Sequence, residues 1–182
     1  MADLTTLENT KAWLGIQTTD DDALLTRLIA SASEFIQTWL NRSFASQAYN
    51  EVRDGTGGCR MVFADYPVTS VQGVVVDGRP IPASTDFGTP GYRFDANRII
   101  LTGYVFSRGI GNVQLAYTGG FIETPKEIEQ ACIELVSLRF KERDRIGHMS
   151  KSLAGETVSF VVKDMPDSVQ TILNNYRKVV PL

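Results

Sequence analysis

The sequence predicts an α+β fold: a small helical bundle of about four helices, with an antiparallel β module inserted between the second and third long helices. Three observations predict it. Apolar residues recur at three- and four-residue steps near both ends of the chain, turn residues punctuate short β-prone runs in the middle third, and helix-start signals return after residue 120.

Each element follows from local chemistry. Thr5 and Glu8 have capping-box spacing, and Leu7, Lys11 and Trp13-Leu14 lead to a stop at Gly15. A second helix starts near Thr19, with Asp20, Asp21 and Asp22 at the positive end of its dipole. Leu25, Leu28, Ile29, Ala32, Phe35, Ile36, Trp39 and Leu40 then form a core-facing stripe. After Asn41 the pattern changes. Turns are expected at Asp54-Gly55, Gly57-Gly58, Asp77-Gly78, Pro90-Gly91, Asp95 to Asn97 and Gly109 to Gly111. Strands are expected at Cys59 to Phe63, Val71 to Val76, Arg98 to Leu101 and Val113 to Tyr117, the last with strict alternation. Thr124 suits an N-cap, Pro125 the first helical position and Glu127 its capping partner, before the stripe Ile128, Ala131, Cys132, Leu135 and Leu138 and a stop at Gly147. Thr157 to Val162 reads as extended. Pro166 opens a last helix, with Val169, Ile172, Leu173 and Tyr176 on one face.

The chain has 182 residues, 43% apolar and 21% charged, which suits one compact domain with a helical core of about 1–45 and 120–182 and a β insertion of about 49–118. A net charge of -3 argues against a strong non-specific grip on nucleic acid, though not against a wall that surrounds DNA. Cys59 and Cys132 are expected as free, buried thiols in a reducing cytoplasm, with a single long-range disulfide between them as the alternative. No secretory signal is expected, and the longest apolar runs are too short to span a bilayer.

The search for chemistry is negative. The one histidine, His148, lies in a polar stretch without a nucleophile motif. One His and two distant Cys supply no structural zinc site. Asp20 to Asp22 point around a helix rather than at one ion. Gly55 to Gly58 and Gly109 to Gly111 precede no helix and read as hairpin turns, not phosphate cradles. Arg139, Lys141, Arg143, Arg145 and Lys151 are interleaved with Glu142 and Asp144, so a solvated face of mutually satisfied charges is expected. Neither an enzyme, nor a cofactor, nor a metal site is expected.

The order of several small motifs carries a resemblance. Lys11-Ala12-Trp13-Leu14-Gly15, Asp22-Ala23-Leu24-Leu25 and Leu40-Asn41-Arg42 come first. Asp54-Gly55, Tyr66-Pro67-Val68 and Val71-Gln72-Gly73-Val74 follow in the middle third. The run from Pro125 to Cys132, Arg143-Asp144-Arg145-Ile146-Gly147, Ser150 to Phe160, Met165-Pro166 and Asn175-Tyr176-Arg177 complete the series. Over nearly the whole chain this resembles the head–tail connector, or adaptor, proteins of tailed bacteriophages, in the longer form with a β insertion.

The resemblance implies a non-enzymatic virion neck protein made in the host cytoplasm. It implies a ring, twelve-fold on the portal, that joins portal to stopper or tail-completion protein. DNA would pass only as cargo, and no membrane is involved. It also implies that the C-terminal part meets the portal: Tyr176, Arg177, Lys178, Val179, Val180, Pro181 and Leu182 leave their helix as apolar and basic groups with no evident intrachain partner. Ser150, Lys151, Ser152, Leu153, Gly155 and Glu156 are expected as a polar loop that orders on assembly, facing the channel or the stopper. The competing expectation is a ligand- or glycan-binding module using Tyr92, Phe94 and Tyr104 of the β insertion.

Overall fold

The computed structural model describes residues 2–86, 88–143, 150–153, 156–159 and 165–178. It is α+β, with four helices and antiparallel sheets, and the sheets fall between the second and third helices. The chain divides into two compact units. Met1–Ser43 and Thr124–Lys178 form the helical one, and the other is built on Phe44–Glu123.

In the helical unit, α1 (Leu7–Leu14), α2 (Asp22–Leu40), α3 (Lys126–Glu142) and α4 (Asp167–Asn174) pack about one core. Leu25, Ile29, Ala32, Ile36 and Leu40 of α2 are buried against Ile128, Ala131, Leu135 and Val136 of α3 and Val169 and Leu173 of α4. Small side chains at the crossing let the helix axes approach, and there Ser33 Oγ lies 3.6 Å from Cys132 Sγ and accepts from Leu4 N–H at 2.9 Å. Polar clips fix the short α1. Lys11 reaches Asp22 at 2.6 Å, and Asn9 donates to Glu129 at 2.6 Å.

The caps depart from expectation by one residue. Thr6, not Thr5, is the N-cap of α1 and accepts from Asn9 N–H at 3.2 Å. Pro125, not Thr124, occupies the cap position of α3, without a side-chain cap bond. Gly15 closes α1 in the left-handed conformation, as expected. The expected stop at Gly147 lies outside the described residues, as does His148. In the described chain α3 ends at Glu142.

The β unit holds two sheets. In the first, the order is β1 (Gln47–Gly55), β7 (Gly109–Gly119), β3 (Val68–Val76) and β4 (Arg79–Pro80). In the second it is β2 (Arg60–Val62), β6 (Arg98–Thr102) and β5 (Gly91–Phe94). All named pairs are antiparallel. Gln47 pairs with Gly119, and Ala45 bridges Phe121, so the insertion enters and leaves at one place. The Asp77-Gly78 turn joins β3 to β4 with both residues at positive φ, the geometry that makes this dipeptide a hairpin former. Asp95 turns β5 into β6, its carboxylate accepting from the N–H groups of Asn97 and Arg98.

Val113, Leu115 and Tyr117 of β7 are fully buried, with Val74 and Val76 beside them. The second sheet adds Met61, Ile99, Leu101 and Tyr92 to the same core. Phe63 meets Tyr117 at 4.6 Å between ring centroids, and the Tyr92 hydroxyl donates to Val71 O at 3.3 Å. The two sheets therefore share one core between their inner faces.

Two glycine clusters expected as hairpin turns are not such turns. Gly109 to Gly111 begin β7. Gly55 ends β1, and residues 56–59 carry the chain from the first sheet to the second. Side chains rather than a turn determine this end of the sheet. Asn112 accepts from Gly55 N–H at 2.9 Å and donates to Asp77 and to Ser107 O, both at 2.8 Å. Asp54 accepts from Gly111 N–H at 2.6 Å. The hydroxyl of Ser107 also donates to Asp77. Hydrogen bonds from Ser107 and Asn112 hold the Asp77 carboxyl below the usual carboxylate range.

A Cβ added at Gly55 would lie 1.7 Å from Ser107 O, whereas one at Gly73 meets nothing within 4 Å. Gly55→Ala is therefore expected to destabilise by more than about 3 kcal/mol, beyond the usual range of single substitutions. Gly73→Ala should be neutral or stabilise by up to about 1 kcal/mol. Equilibrium unfolding of both variants measures the contrast.

Candidate functional site

The C-terminal segment is tied to the helical unit before it ends. After α4, the Tyr176 hydroxyl donates to Glu127 Oε2 at 3.0 Å, and the Tyr176 carbonyl accepts from Arg42 Nη1 at 3.0 Å. Arg42 is itself buried, so its guanidinium is spent on this carbonyl rather than on solvent. Tyr176 thus has intrachain partners, contrary to expectation, and Lys178 is not without one. Partial burial and the Glu127 carboxylate beside it push the Tyr176 hydroxyl pKa upward, keeping it a donor. Arg177 is exposed, with its N–H on Asn174 O at 3.3 Å. Val179, Val180, Pro181 and Leu182 lie outside the described residues.

The segment expected as a polar loop has a regular backbone where it is described. Ser150–Leu153 (β8) pairs antiparallel with Glu156–Ser159 (β9), Leu153 opposite Glu156. The sequence cue covered only the second strand, where Thr157 to Val162 read as extended, because Ser and Lys of the first have low strand preference. Gly155 lies outside the described residues.

The basic stretch of α3 makes contacts beyond its own helix as well as within it, where Arg143 lies 4.3 Å from the Phe140 ring centre. Arg139 donates to Ser31 at 3.2 Å and lies 5.1 Å from the Phe35 ring centre on α2, and Arg143 lies 3.6 Å from Asp21. These arginines bind α2 to α3, a role that charge alternation along one helix did not reveal. Arg145 is outside the described residues.

The sheets offer surfaces that no motif announced. On the first sheet, Tyr49, Glu51 and Arg53 of β1 share the inner face with Tyr117, Leu115 and Val113, so Ala48, Asn50 and Val52 look outward. Opposite them on β7 stand Thr118, Ala116 and Gln114, and on β3 Ser70, Gln72, Gly73 and Val75 continue the outer face. None of these positions is charged, but Asp54 follows Val52 in the same outward alternation and is exposed. Val52 is 67% exposed, and Ile110 just beyond it is 95% exposed. On the second sheet, register places Arg60, Ile100 and Arg93 in one row and Val62 beside Arg98 in the next, all outward. Asp95 takes up Arg98 at 2.6 Å.

Tyr92, an expected ligand platform, is instead a core residue. Phe94 and Tyr104 remain partly exposed, at 40% and 39%. A groove of about 530 Å³ along α1 is lined by Leu7, Glu8, Lys11, Ala12 and Ile16, and its Lys11 is already held by Asp22. Among the described residues no group of three His, Cys, Asp or Glu is placed to hold a metal ion, and no helix is long and apolar enough to cross a membrane.

The chain belongs to the head completion protein family, which matches residues 3–179. It is thereby a viral structural protein of the head–tail connector class. No curated protein sequence matches it. Solved structures do. A chain in the neck of an empty gene transfer agent particle, computed with C6 symmetry, aligns with TM-score 0.59 at 18% identity over 98% of this chain and 92% of that one. A chain in the neck of the native particle, computed with C12 symmetry, gives TM-score 0.54 at 18% identity over 88% and 85%. The virion of the native gene transfer agent particle contains a chain with TM-score 0.56 at 17% identity over 100% and 96%. At these identities the likeness is one of fold.

Both cysteines are free, but Cys59 is exposed rather than buried. Burial pushes the Cys132 thiol up to about 11. A maleimide or iodoacetamide should label Cys59 in the native protein and Cys132 only on unfolding, as peptide mass mapping would show. Arg42→Ala, which strands the Tyr176 carbonyl, should cost about 1–3 kcal/mol in equilibrium unfolding.

Proposed function

We propose that the chain is a ring-forming adaptor of a tailed-phage neck that binds the portal after DNA packaging and links the head to the tail or stopper. The observation that carries this reading is the family match across residues 3–179. The fold likeness to neck chains of C6 and C12 particles supports a ring, since closed rings of identical subunits are built from head-to-tail contacts. Twelve copies on the portal, with DNA as passing cargo, fit a chain of net charge -3, which has no surplus of cations to arrest a sliding duplex. The helical core and the β insertion act together as one connector domain.

In this reading residues Tyr176 to Leu182 dock on the portal. The bonds from Tyr176 to Glu127 and Arg42 support it by fixing the root of that segment, so that docking loses less conformational freedom. The β8–β9 hairpin faces the channel or the stopper, where a two-stranded ribbon too small to be stable alone would gain from a neighbour.

Size-exclusion chromatography with light scattering, on the chain alone and with portal, tests the function. The chain should join a ring-sized complex with portal. A chain that ignores portal at every concentration would contradict the reading, and thermal stabilisation by a small ligand or glycan would favour a binding module instead. Truncation before Val179 should weaken portal capture at least tenfold; unchanged capture would place docking elsewhere.

A further inference from the structure

The β insertion leaves the helical unit after Ser43 and returns to it at Thr124, so the chain crosses twice. On the helical side one residue is bonded beside both crossings. Tyr176, just past the end of α4, donates its hydroxyl to Glu127 Oε2 at 3.0 Å, and its carbonyl accepts from Arg42 Nη1 at 3.0 Å. Arg42 immediately precedes Ser43, and Glu127 lies in the first turn of α3, just after Thr124. Within the insertion the outgoing and returning chains are paired to each other. Phe121 N–H donates to Phe44 O at 2.9 Å, and the two rings stack with 5.8 Å between centroids.

Each partner of Tyr176 is fixed by its own element. Asn41 closes α2 in the left-handed conformation, and Arg42 N–H donates to Gln37 O at 3.1 Å, so the buried Arg42 side chain leaves from a fixed backbone. Glu127 stands where a carboxylate suits the α3 dipole. α4 runs antiparallel along α3, with Ser168 donating to Glu134 at 3.3 Å at one end and Tyr176 to Glu127 at the other. Val169 and Leu173 are fully buried between these bonds. Leu173 and Tyr176 are three residues apart on one face, so burying the first brings the second to its partners.

We propose that Tyr176 is a clip across the two crossings, and that its closed state stiffens the roots of the β insertion. Arg42 and Glu127 are remote in sequence, yet both are tied to this one residue. Displacing Tyr176 therefore loosens both crossings together, and the Phe44–Phe121 pair opens more readily once its flanking backbone is freer. The inference deepens the portal-docking reading and rests on it in one respect. A partner that holds the segment after Tyr176 favours the closed clip, and by reciprocity the closed clip favours that partner. The fold thus couples the C-terminal segment to the insertion.

Hydrogen exchange on the full chain reads the clip at two amides, Arg42 bonded to Gln37 O and Phe121 bonded to Phe44 O. Tyr176→Phe removes the hydroxyl and keeps the ring. It should speed exchange at both amides about tenfold, the effect of one lost hydrogen bond on local opening. Glu127→Gln keeps an acceptor and should match the wild type. Glu127→Ala should match Tyr176→Phe, and combining the two should add nothing further. The amides of Ala32 in α2 and Leu115 in β7 should not change. Should Glu127→Ala lose its cooperative melting transition, the contrast between Tyr176→Phe and Glu127→Gln decides.

Faster exchange confined to α4 and its end, with Arg42 and Phe121 unchanged, would make Tyr176 an anchor of its own helix and overturn the inference. Uniform acceleration that includes Ala32 and Leu115 would overturn it too, because that reports global destabilisation. Portal added to the wild type should slow exchange at Arg42 and Phe121 about fivefold or more, and Tyr176→Phe should weaken portal capture by a similar factor. Portal that binds without changing these amides overturns the coupling. Absence of portal binding sinks the docking reading, and the coupling with it, while the clip is still decided by the free chain.

Discussion

β7 is the strand on which the β unit depends. It pairs along one edge with β1 and along the other with β3, and its inward side chains Val113, Leu115 and Tyr117 are the centre of the core that both sheets share. Tyr117 makes the constraint specific. Its ring stacks on Tyr49 and meets Phe63, and its hydroxyl donates to Glu51 while accepting from Asp65 N–H at 3.1 Å. Burial and the Glu51 carboxylate both favour the protonated phenol, which keeps that donor in place at neutral pH. Because the inner face of the first sheet is committed in this way, its outer face is the exposed one.

The helical unit solves a different problem. Its helices are short apart from α2 and α3, and short helices are held by tertiary packing rather than by propensity. Polar clips supplement the apolar stripe: Lys11 to Asp22, Asn9 to Glu129, Arg139 to Ser31, and Arg42 to the Tyr176 carbonyl. Most of these are long-range in sequence, so the N-terminal and C-terminal parts of the helical unit are tied to each other.

The helices were legible because their signal is local. A stripe at three- and four-residue steps from Leu25 to Leu40 has one interpretation, and the buried set confirms it. The α+β class and the place of the insertion followed from the same contrast of periods. β1 and β5 were not legible as strands. β1 places Glu51 and Arg53 on its inner face, where an alternation rule expects apolar residues, and β5 is only Gly91–Phe94. Gly109 to Gly111 looked like a turn because glycine usually marks one. The strand runs through them because Asp54, Asp77 and Asn112 supply the bonds, contacts remote in sequence. The outer faces were invisible for the same reason: Arg60, Ile100 and Arg93 become one row only when register is known. The resemblance to head–tail connectors, by contrast, rested on the order of motifs along the chain and needed no pairing.

The proposed neck role requires copies of this chain to pack side by side around an axis. Cryo-electron microscopy of the chain assembled on its portal measures this most directly. A closed ring beneath the portal is expected, with neighbouring copies in contact and the C-terminal segments reaching the portal. Isolated copies bound to portal without touching one another would contradict it.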